Sequence, residues 1–167
     1  SLATAGLAKQ LALKMDDVDP MDCFIGGLLH DFGKVVFAQF MPQEFRQALQ
    51  HCQSNNVPLH IALQEAIGVD HFVVGAMLVE KWRFAPRLIE TIRYQHPSNF
   101  KDTEMIACVF GGNQISKKLK FGFGGNTSVD EFPASVQKRL GGTLDEVIAS
   151  MGDLNPLFEE AKLFAKL

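Results

Sequence analysis

Two adjacent residues, His30 and Asp31, carry the side chains best suited to chemistry in this 167-residue chain. An imidazole beside a carboxylate offers one nitrogen and one oxygen ligand to a divalent metal ion. Neighbours on a helix diverge by about 100°, so both can bind one ion only if other helices close the far side. Gly33 permits either a close backbone approach or a turn with positive φ, and Lys34, one turn after His30, can direct its ammonium at a phosphate. The segment is therefore a candidate metal site with a candidate phosphate contact.

His71 and His96 are two further candidate ligands, and they are expected to lie near the same edge of the domain. His71 is predicted in the first turn of one helix and His96 in the last turn of the next. The short connection at 84–86 favours antiparallel packing of these helices. Each histidine also has a purely structural interpretation, because the helix macrodipole favours an imidazolium at position 96 and His71 can hydrogen-bond Asp70 or a backbone carbonyl. Both interpretations stay open on the residues alone.

The remaining polar and glycine-rich segments give weaker indications of function. Two histidines that flank the turn at 55–56 are expected to face water: His51 and His60. The one basic cluster is expected to be a solvated helix end: Lys117, Lys118 and Lys120. The glycine-rich segment 121–125 follows a helix rather than a strand, which argues against a phosphate-binding loop.

Composition narrows the class of protein. Sixteen Lys and Arg against nineteen Asp and Glu give a net charge of −3, so no basic surface for nucleic acid is indicated. Hydrophobic residues make up 47% and charged residues 21%, as in a soluble globular domain. The three cysteines, without a C-x-x-C pair, are expected to be reduced core thiols: Cys23, Cys52 and Cys108. With no apolar run of about 18 residues and no basic leader, a cytoplasmic protein without a membrane partner is predicted.

The elements that must position these side chains are predicted to be helices throughout, in an all-α fold of roughly eight to ten short helices. Asp19, Asp70 and Asp102 are predicted N-caps, Gly68 a helix end, and Thr143-x-x-Glu146 a capping box. The predicted helices span 1–15, 21–29, 34–40, 42–53, 58–67, 71–83, 86–96 and 102–119, with others starting near 143 and 155 and a flexible loop at 122–128. Six apolar residues are predicted to be buried: Ile25, Leu28, Leu29, Val73, Met77 and Leu78.

Several of these segments together resemble a known family. The stretch Gly26-Gly27-Leu28-Leu29-His30-Asp31-Phe32-Gly33-Lys34 resembles the GLLHDIGK signature of the HD superfamily. The stretch from Glu65 through Gly68-Val69-Asp70-His71 to Trp82 resembles the signature of HDOD, the HD-related output domain. Tyr94-Gln95-His96-Pro97 stands where that branch usually has two histidines and a proline, and Ser1-Leu2-Ala3-Thr4-Ala5 resembles the helix before these motifs. The resemblance runs in order along nearly the whole chain.

The resemblance implies an HD-like helical bundle that serves bacteria as a signalling output module. Related HD phosphohydrolases and HD-GYP phosphodiesterases bind divalent metal ions and hydrolyse phosphate esters, including cyclic di-GMP. Carried over by position, the implied metal ligands are His30, Asp31, His71 and His96. Because HDOD proteins usually have an upstream helical half, residues 1–167 are expected to be the C-terminal part of a larger HDOD module.

Three departures from the pattern bear on catalysis. No histidine precedes His30, Gln95 replaces one histidine of the pair, and the helix around 107–116 has Asn113 but no carboxylate. The prediction is a non-catalytic signalling domain with a degenerate metal site and a protein partner, of unspecified oligomeric state. The alternative is a metal-dependent phosphohydrolase in which the ion activates water and Lys34 stabilises phosphate charge. Nucleic-acid binding is least favoured, and no cofactor other than a divalent ion is considered.

Overall fold

The structure, a computed structural model, describes residues 1–121 and 128–164, so the predicted loop at 122–128 lies outside the described residues except for Ser128. In the described part every regular element is a helix, which confirms the predicted all-α class. The α-helices, in chain order, are α1 Leu2–Ala12, α2 Pro20–Leu29, α3 Phe32–Phe40, α4 Pro42–Asn55, α5 Leu59–Ile67, α6 His71–Lys81, α7 Pro86–Arg93, α8 Glu104–Lys118, α9 Ala134–Leu140, α10 Leu144–Ser150 and α11 Asn155–Phe164. A short 3-10 turn, Pro97–Asn99, lies between α7 and α8.

Local capping chemistry sets several helix ends as predicted. The Asp19 carboxylate accepts from two backbone amides at the start of α2, and Asp70 does the same at α6. Gly68 ends α5 with a φ of 84°, a conformation that glycine adopts without strain. Thr143 and Glu146 form a reciprocal capping box at α10. These helix ends are set by residues within one turn of them.

The predicted break in the HD region is wrong by a few residues. α2 ends at Leu29 and α3 starts at Phe32, so the break falls at His30 and Asp31, and Gly33 lies inside α3. Gly33 serves close packing rather than a turn, because a Cβ there would lie 1.9 Å from the His71 carbonyl oxygen. The glycine is therefore needed for the contact between α3 and α6.

Two further helix ends differ from prediction. α7 ends at Arg93, and His96 is extended, since the residue before a proline avoids helical backbone angles. At α8 the N-cap is Thr103, whose side chain accepts from an amide of the first turn, while Asp102 pairs with Arg139 at 2.6 Å. Asp102 is thus used for a tertiary ion pair instead of a cap.

The main core surrounds α8, which is buried along most of its length and packs against α1 and α2. α1 approaches both neighbours very closely, because a Cβ at Gly27 would lie 2.7 Å from the Ala5 Cα and one at Gly112 2.9 Å from the Ala8 nitrogen. A second, smaller apolar cluster joins α3, α4 and α5 around Phe37. The fold therefore has a large central core and a small lateral one.

The predicted core residues on α2 and α6 are wrong, because none of the six is fully buried. Met77 is 57% exposed and Leu28 37% exposed, and the other four are half-buried. Each helix turns its smaller residues inward instead, since the neighbouring backbones come too close for large side chains. The inward residues are Cys23, Gly26 and Gly27 on α2, and Gly75, Ala76 and Val79 on α6. The three cysteines are buried free thiols, as predicted.

Within residues 1–121 and 128–164, no single helix has both the length and the apolar character to cross a membrane. Taken together α5 and α6 meet that test of length and composition, but they are bent by 80° at the break between them.

Candidate functional site

The HD pair occupies the junction between α2 and α3. The His30 side chain is 2% exposed, and its Nδ1 lies 2.6 Å from the Gly27 carbonyl oxygen. A carbonyl can only accept, so Nδ1 carries a proton, and in the neutral form of the imidazole the lone pair is then on Nε2. This Nε2 is buried without a hydrogen-bond partner among the described residues, although Asp31 Oδ2 is 3.3 Å away.

Asp31 is surrounded by nitrogen groups. Its Oδ2 lies 2.7 Å from the Lys34 ammonium, and its Oδ1 lies 3.7 Å from His71 Nε2. Burial by itself raises the pKa of Asp31, but the neighbouring His30 and Lys34 outweigh it and hold that pKa well below its usual range. Asp31 is therefore an ionised carboxylate at neutral pH.

His71 reaches Asp31 because α3 and α6 touch through their backbones at Gly33. It is the first residue of α6 and 4% exposed. The Asp70 carboxylate accepts from the amides of Phe72 and Val73 rather than from the imidazole. His71 Nδ1 has no hydrogen-bond partner among the described residues, and burial followed by the Lys34 charge lowers the pKa of His71 well below its usual value. His71 is thus neutral in the native protein.

These groups border a shallow pocket of about 460 Å³, a volume that includes open solvent at its mouth. Three of the four predicted metal ligands line it, namely Asp31, His71 and His96, whereas His30 is not part of the lining. Its lining consists of Asp31, Lys34, Leu59, His60, His71, Phe72, Gln95, His96, Phe110, Asn113, Gln114, Lys117 and Asp130.

His96 and His60 form a second group in this pocket. Their ring centroids are 3.8 Å apart, and Phe72 separates the pair from His71, with ring-centroid distances of 5.5 Å to His96 and 4.0 Å to His71. Burial, with a smaller contribution from His60, lowers the pKa of His96 to about 4. The expectation that His60 faces water is wrong, while His51 is exposed and lies 3.1 Å from Glu65.

Gln95 occupies the position where the family pattern has the other histidine of the pair. Its side chain is 3% exposed and donates to the carbonyl oxygens of His30 at 2.9 Å and Ile92 at 3.2 Å. Through its bond to the His30 carbonyl, Gln95 therefore connects the end of α7 to the end of α2. The buried Gln95 amide thus helps to position the junction at His30 and Asp31.

Sequence reasoning missed three lining residues on the far side of the pocket: Gln114, Lys117 and Asp130. Lys117 was expected at a solvated helix end, but it is half-buried and burial lowers its pKa. The available signal was spacing, because Asn113 and Lys117 are four residues apart and share one face of α8. Asp130 follows the segment 122–127 and has no sequence motif around it.

The helical bundle and the buried His-Asp junction define an HD-like domain. The family model of the HDOD domain matches residues 1–98. The chain belongs to the HDOD family.

One curated protein is similar in sequence, and a solved structure is similar in fold. A protein of Treponema pallidum (strain Nichols) described as uncharacterized is 29% identical over 136 residues, which cover 78% of this chain and 25% of that protein. An HDOD domain protein of unknown function from Geobacter sulfurreducens has a TM-score of 0.78 at 24% identity and covers 96% of this chain and 59% of its own. The chain thus spans little more than half of that structure and a quarter of the Treponema protein.

Two further structures are similar in fold. A "Putative phosphohydrolase" from Shewanella amazonensis SB2B has a TM-score of 0.70 at 18% identity, over 94% of this chain and 58% of that one. A "Putative signal transduction protein" from Marinobacter aquaeolei VT8 has a TM-score of 0.82 at 20% identity, over 99% of this chain and 37% of that one. At these identities the similarity establishes the fold.

The HD fold implies a divalent metal ion, and the donors can be compared with what such an ion needs. The lone pair of His30 Nε2 and the Asp31 carboxylate are suitable ligand atoms. However, the Lys34 ammonium already contacts Asp31, and among the described residues no three His, Cys, Asp or Glu side chains are arranged to hold a metal. His96, the fourth predicted ligand, packs against His60 instead of joining the group around Asp31. In this arrangement the donors do not fit a divalent ion, and no chemical step is assigned to one.

Proposed function

We propose that this domain is a non-catalytic output module of bacterial signal transduction that keeps an HD-type pocket as a structural and ligand-facing element. The observation that carries the proposal is the Lys34–Asp31 ion pair of 2.7 Å. It places a fixed ammonium on the one carboxylate of the HD pair, where a hydrolase needs a metal cation. Hydrolytic two-metal sites also use further carboxylates, and α8 presents the neutral Asn113 to this pocket.

The descriptions of the similar structures are compatible with a signalling role but do not distinguish it from hydrolysis. One similar structure carries a signal-transduction description, another a phosphohydrolase description, and a third an unknown function. The three buried free thiols support a reducing, cytoplasmic location. We place the domain within a longer HDOD protein, as expected from the family pattern.

A protein partner is supported by an exposed aromatic cluster near the HD junction. Trp82, at the end of α6, is 49% exposed and packs edge-on against Phe32 at 5.5 Å, while the Phe84 ring lies 6.4 Å from Trp82. Phe84 is itself 37% exposed. Adjacent exposed aromatic rings are typical of protein interaction sites.

The experiment that tests non-catalysis is a hydrolysis assay of the purified protein with added Mn²⁺. The substrates are cyclic di-GMP and a generic phosphodiester, and the comparison variant is Asp31→Ala. We expect no turnover above that of the variant, together with no stoichiometric metal in elemental analysis of the wild-type protein.

Robust turnover that disappears in Asp31→Ala would overturn the proposal and establish the phosphohydrolase alternative. One ring nitrogen of His30 and one of His71 have no hydrogen-bond partner among the described residues, and this observation favours the alternative. An active HD protein of known turnover, assayed in parallel, shows that the conditions permit hydrolysis.

A further inference from the structure

An exposed surface lies where α6 turns into α7 and consists of Lys81, Trp82, Arg83 and Phe84, which we call the corner surface. The centroids of its two aromatic rings are 6.4 Å apart. Phe84 also lines a small pocket of about 270 Å³, a volume that includes open solvent. The other apolar residues of that lining are Ile25, Ala85, Leu88 and Met105. An apolar side chain of a partner can therefore enter beside Phe84 while its neighbours pack on Trp82.

The two cations of the corner surface have no ion pair. In the described part of the chain no carboxylate oxygen lies within 4.0 Å of the Lys81 or Arg83 side-chain nitrogens, and the adjacent Glu80 faces Arg93 at 3.9 Å instead. Residues 80–93 contain four basic residues against two acidic ones, although the whole chain has a net charge of −3. The corner surface is therefore a locally positive surface on an acidic protein.

The backbone of Arg83 adds a second indication that its side chain is used. Its φ is 61°, in the left-handed region, and the amide of Phe84 donates to the Val79 carbonyl at 3.1 Å. This is the closing turn of a helix, in which glycine is the usual residue because a Cβ makes the left-handed conformation unfavourable. The arginine thus adds an exposed cation next to Trp82 against the local preference of the backbone.

Charge and shape together distinguish between the occupants that such a surface can have. In a two-fold contact with a second copy of this chain, the cations of one corner surface would meet the same cations of the other. A single-stranded nucleic acid needs a row of cations along its phosphates, whereas only Lys81 and Arg83 are unpaired here. An acidic peptide fits both features, because an apolar side chain enters the pocket and carboxylates on either side of it meet the two cations.

We propose that the corner surface binds an acidic segment of a partner protein, which inserts one apolar side chain beside Phe84 and pairs its carboxylates with Lys81 and Arg83. The proposal rests on the interaction role proposed above and names the chemistry of the partner. It does not depend on the absence of hydrolysis. Turnover in the assay with Mn²⁺ would leave it standing, and a failed binding experiment would leave the result of that assay unchanged.

The test starts with selection from a library of random peptides displayed on phage, with the whole protein as the target. We expect the enriched peptides to carry Asp or Glu on both sides of an aromatic or aliphatic residue. Calorimetric titration of the enriched peptide, made synthetically, then compares the wild-type protein with the double variant Lys81→Glu, Arg83→Glu. Affinity should be at least about tenfold weaker in that variant and should fall with added salt in the wild type.

The matched control is Arg46→Glu, because Arg46 is also an exposed arginine without an ion pair among the described residues, and it lies on α4. Its affinity for the peptide should stay within about twofold of that of the wild type. Enrichment of neutral or basic peptides, no enrichment at all, or equal losses in the control and the double variant would each overturn the proposal.

Arg83→Gly provides a measurement that a folding defect cannot imitate. Glycine relieves the left-handed backbone, so the midpoint of thermal unfolding should stay equal or rise while peptide affinity falls several-fold. Unchanged affinity in this variant would overturn the role of Arg83. Tighter binding of a single-stranded oligonucleotide than of the peptide would overturn the acidic partner in favour of nucleic acid. Sedimentation of a dimer that the double variant abolishes would overturn it in favour of a second copy.

Discussion

Asp31, the carboxylate of the HD motif, links two helices in the structure. Its two oxygens contact groups from α3 and α6, so it connects the two helices that meet at Gly33. The neighbouring charges make the ionised form the stable one, which means that Asp31 contributes to folding wherever it is ionised. The same carboxylate cannot serve Lys34 and a metal ion equally well.

The substitution Asp31→Asn should lower the free energy of unfolding by about 2–4 kcal/mol at pH 7, because Lys34 and His71 lose their carboxylate in a largely buried place. Urea denaturation followed by circular dichroism measures the change. Asp17→Asn, at an exposed position, is the control and should change stability by less than about 0.5 kcal/mol. Equal effects of the two substitutions would show that Asp31 has no stabilising role.

Stability should fall as the solution is acidified below pH 6.5, and His96 gives one measurable part of that fall. The pKa of His96 is lowered to about 4 in the folded protein, so between 6.5 and 4 the unfolded chain binds a proton that the folded chain does not. The stabilisation is therefore complete above pH 6.5 and is lost as the pH approaches 4, by about 2–3 kcal/mol. His71 and Asp31, whose pKa values are also lowered, act in the same direction.

The variant that isolates this effect is His96→Asn, whose side-chain oxygen can still accept from the Ser98 amide. Urea denaturation of wild type and variant at pH 7.5 and pH 4.5 gives the comparison. We expect the wild-type protein to lose more stability than the variant between these values. A variant with an equally steep pH dependence would contradict the assignment to His96.

At the scale of the helices, the decisive feature is the backbone contact of α3 with α6. Gly33 allows it, and Gly75 on the opposite helix lies against it, since the Gly33 nitrogen is 3.3 Å from where a Gly75 Cβ would be. Without this contact His71 could not lie beside Asp31. The glycine of the HD motif therefore acts through helix spacing.

Gly33→Ala should lower the free energy of unfolding by about 3 kcal/mol or more, because its Cβ would meet a backbone oxygen that cannot move independently of α6. Gly6→Ala is the matched control, since the atoms nearest to its Cβ would be those of the flexible Leu157 side chain. That change should be within about 1 kcal/mol, because alanine also favours the helix. Thermal denaturation of both variants tests the difference, and a mild effect of Gly33→Ala would rule out the close contact.

Most helices and many of their ends could be predicted from the sequence, because nearby residues determine them. The Asp19 and Asp70 caps and the Thr143 capping box depend on residues within one turn. The buried faces of α2 and α6 could not be predicted from hydrophobicity, since they depend on how closely α1 and α3 approach. His60 and Lys117 were missed for the same reason, because their burial comes from elements distant in the chain.

At the scale of the whole molecule, the two apolar clusters suggest unequal local stability. The main core surrounds α8, whose residues are mostly buried, while the lateral cluster around Phe37 is small and includes α4, a helix with only two buried residues. Regions with few buried contacts open at lower free energy than the core. Motion in the native protein should therefore start at α4.

Hydrogen exchange followed by mass spectrometry or NMR tests this difference. Backbone amides of α4 should exchange through local opening, and those in the middle of α8 only through global unfolding. Mild urea should accelerate exchange in α8 and leave exchange in α4 nearly unchanged. Equal protection of both helices would show that the two clusters unfold as one unit.

Trp82 gives the protein a built-in optical reporter. It is the single tryptophan of the chain, half-exposed, and its ring rests edge-on against Phe32, the residue directly after Asp31. Its fluorescence therefore senses the α3–α6 junction rather than the central core. Ligand entry, acidification or partner docking near the HD pair can be followed through this emission in the unlabelled protein, and collisional quenchers in solvent have direct access to it.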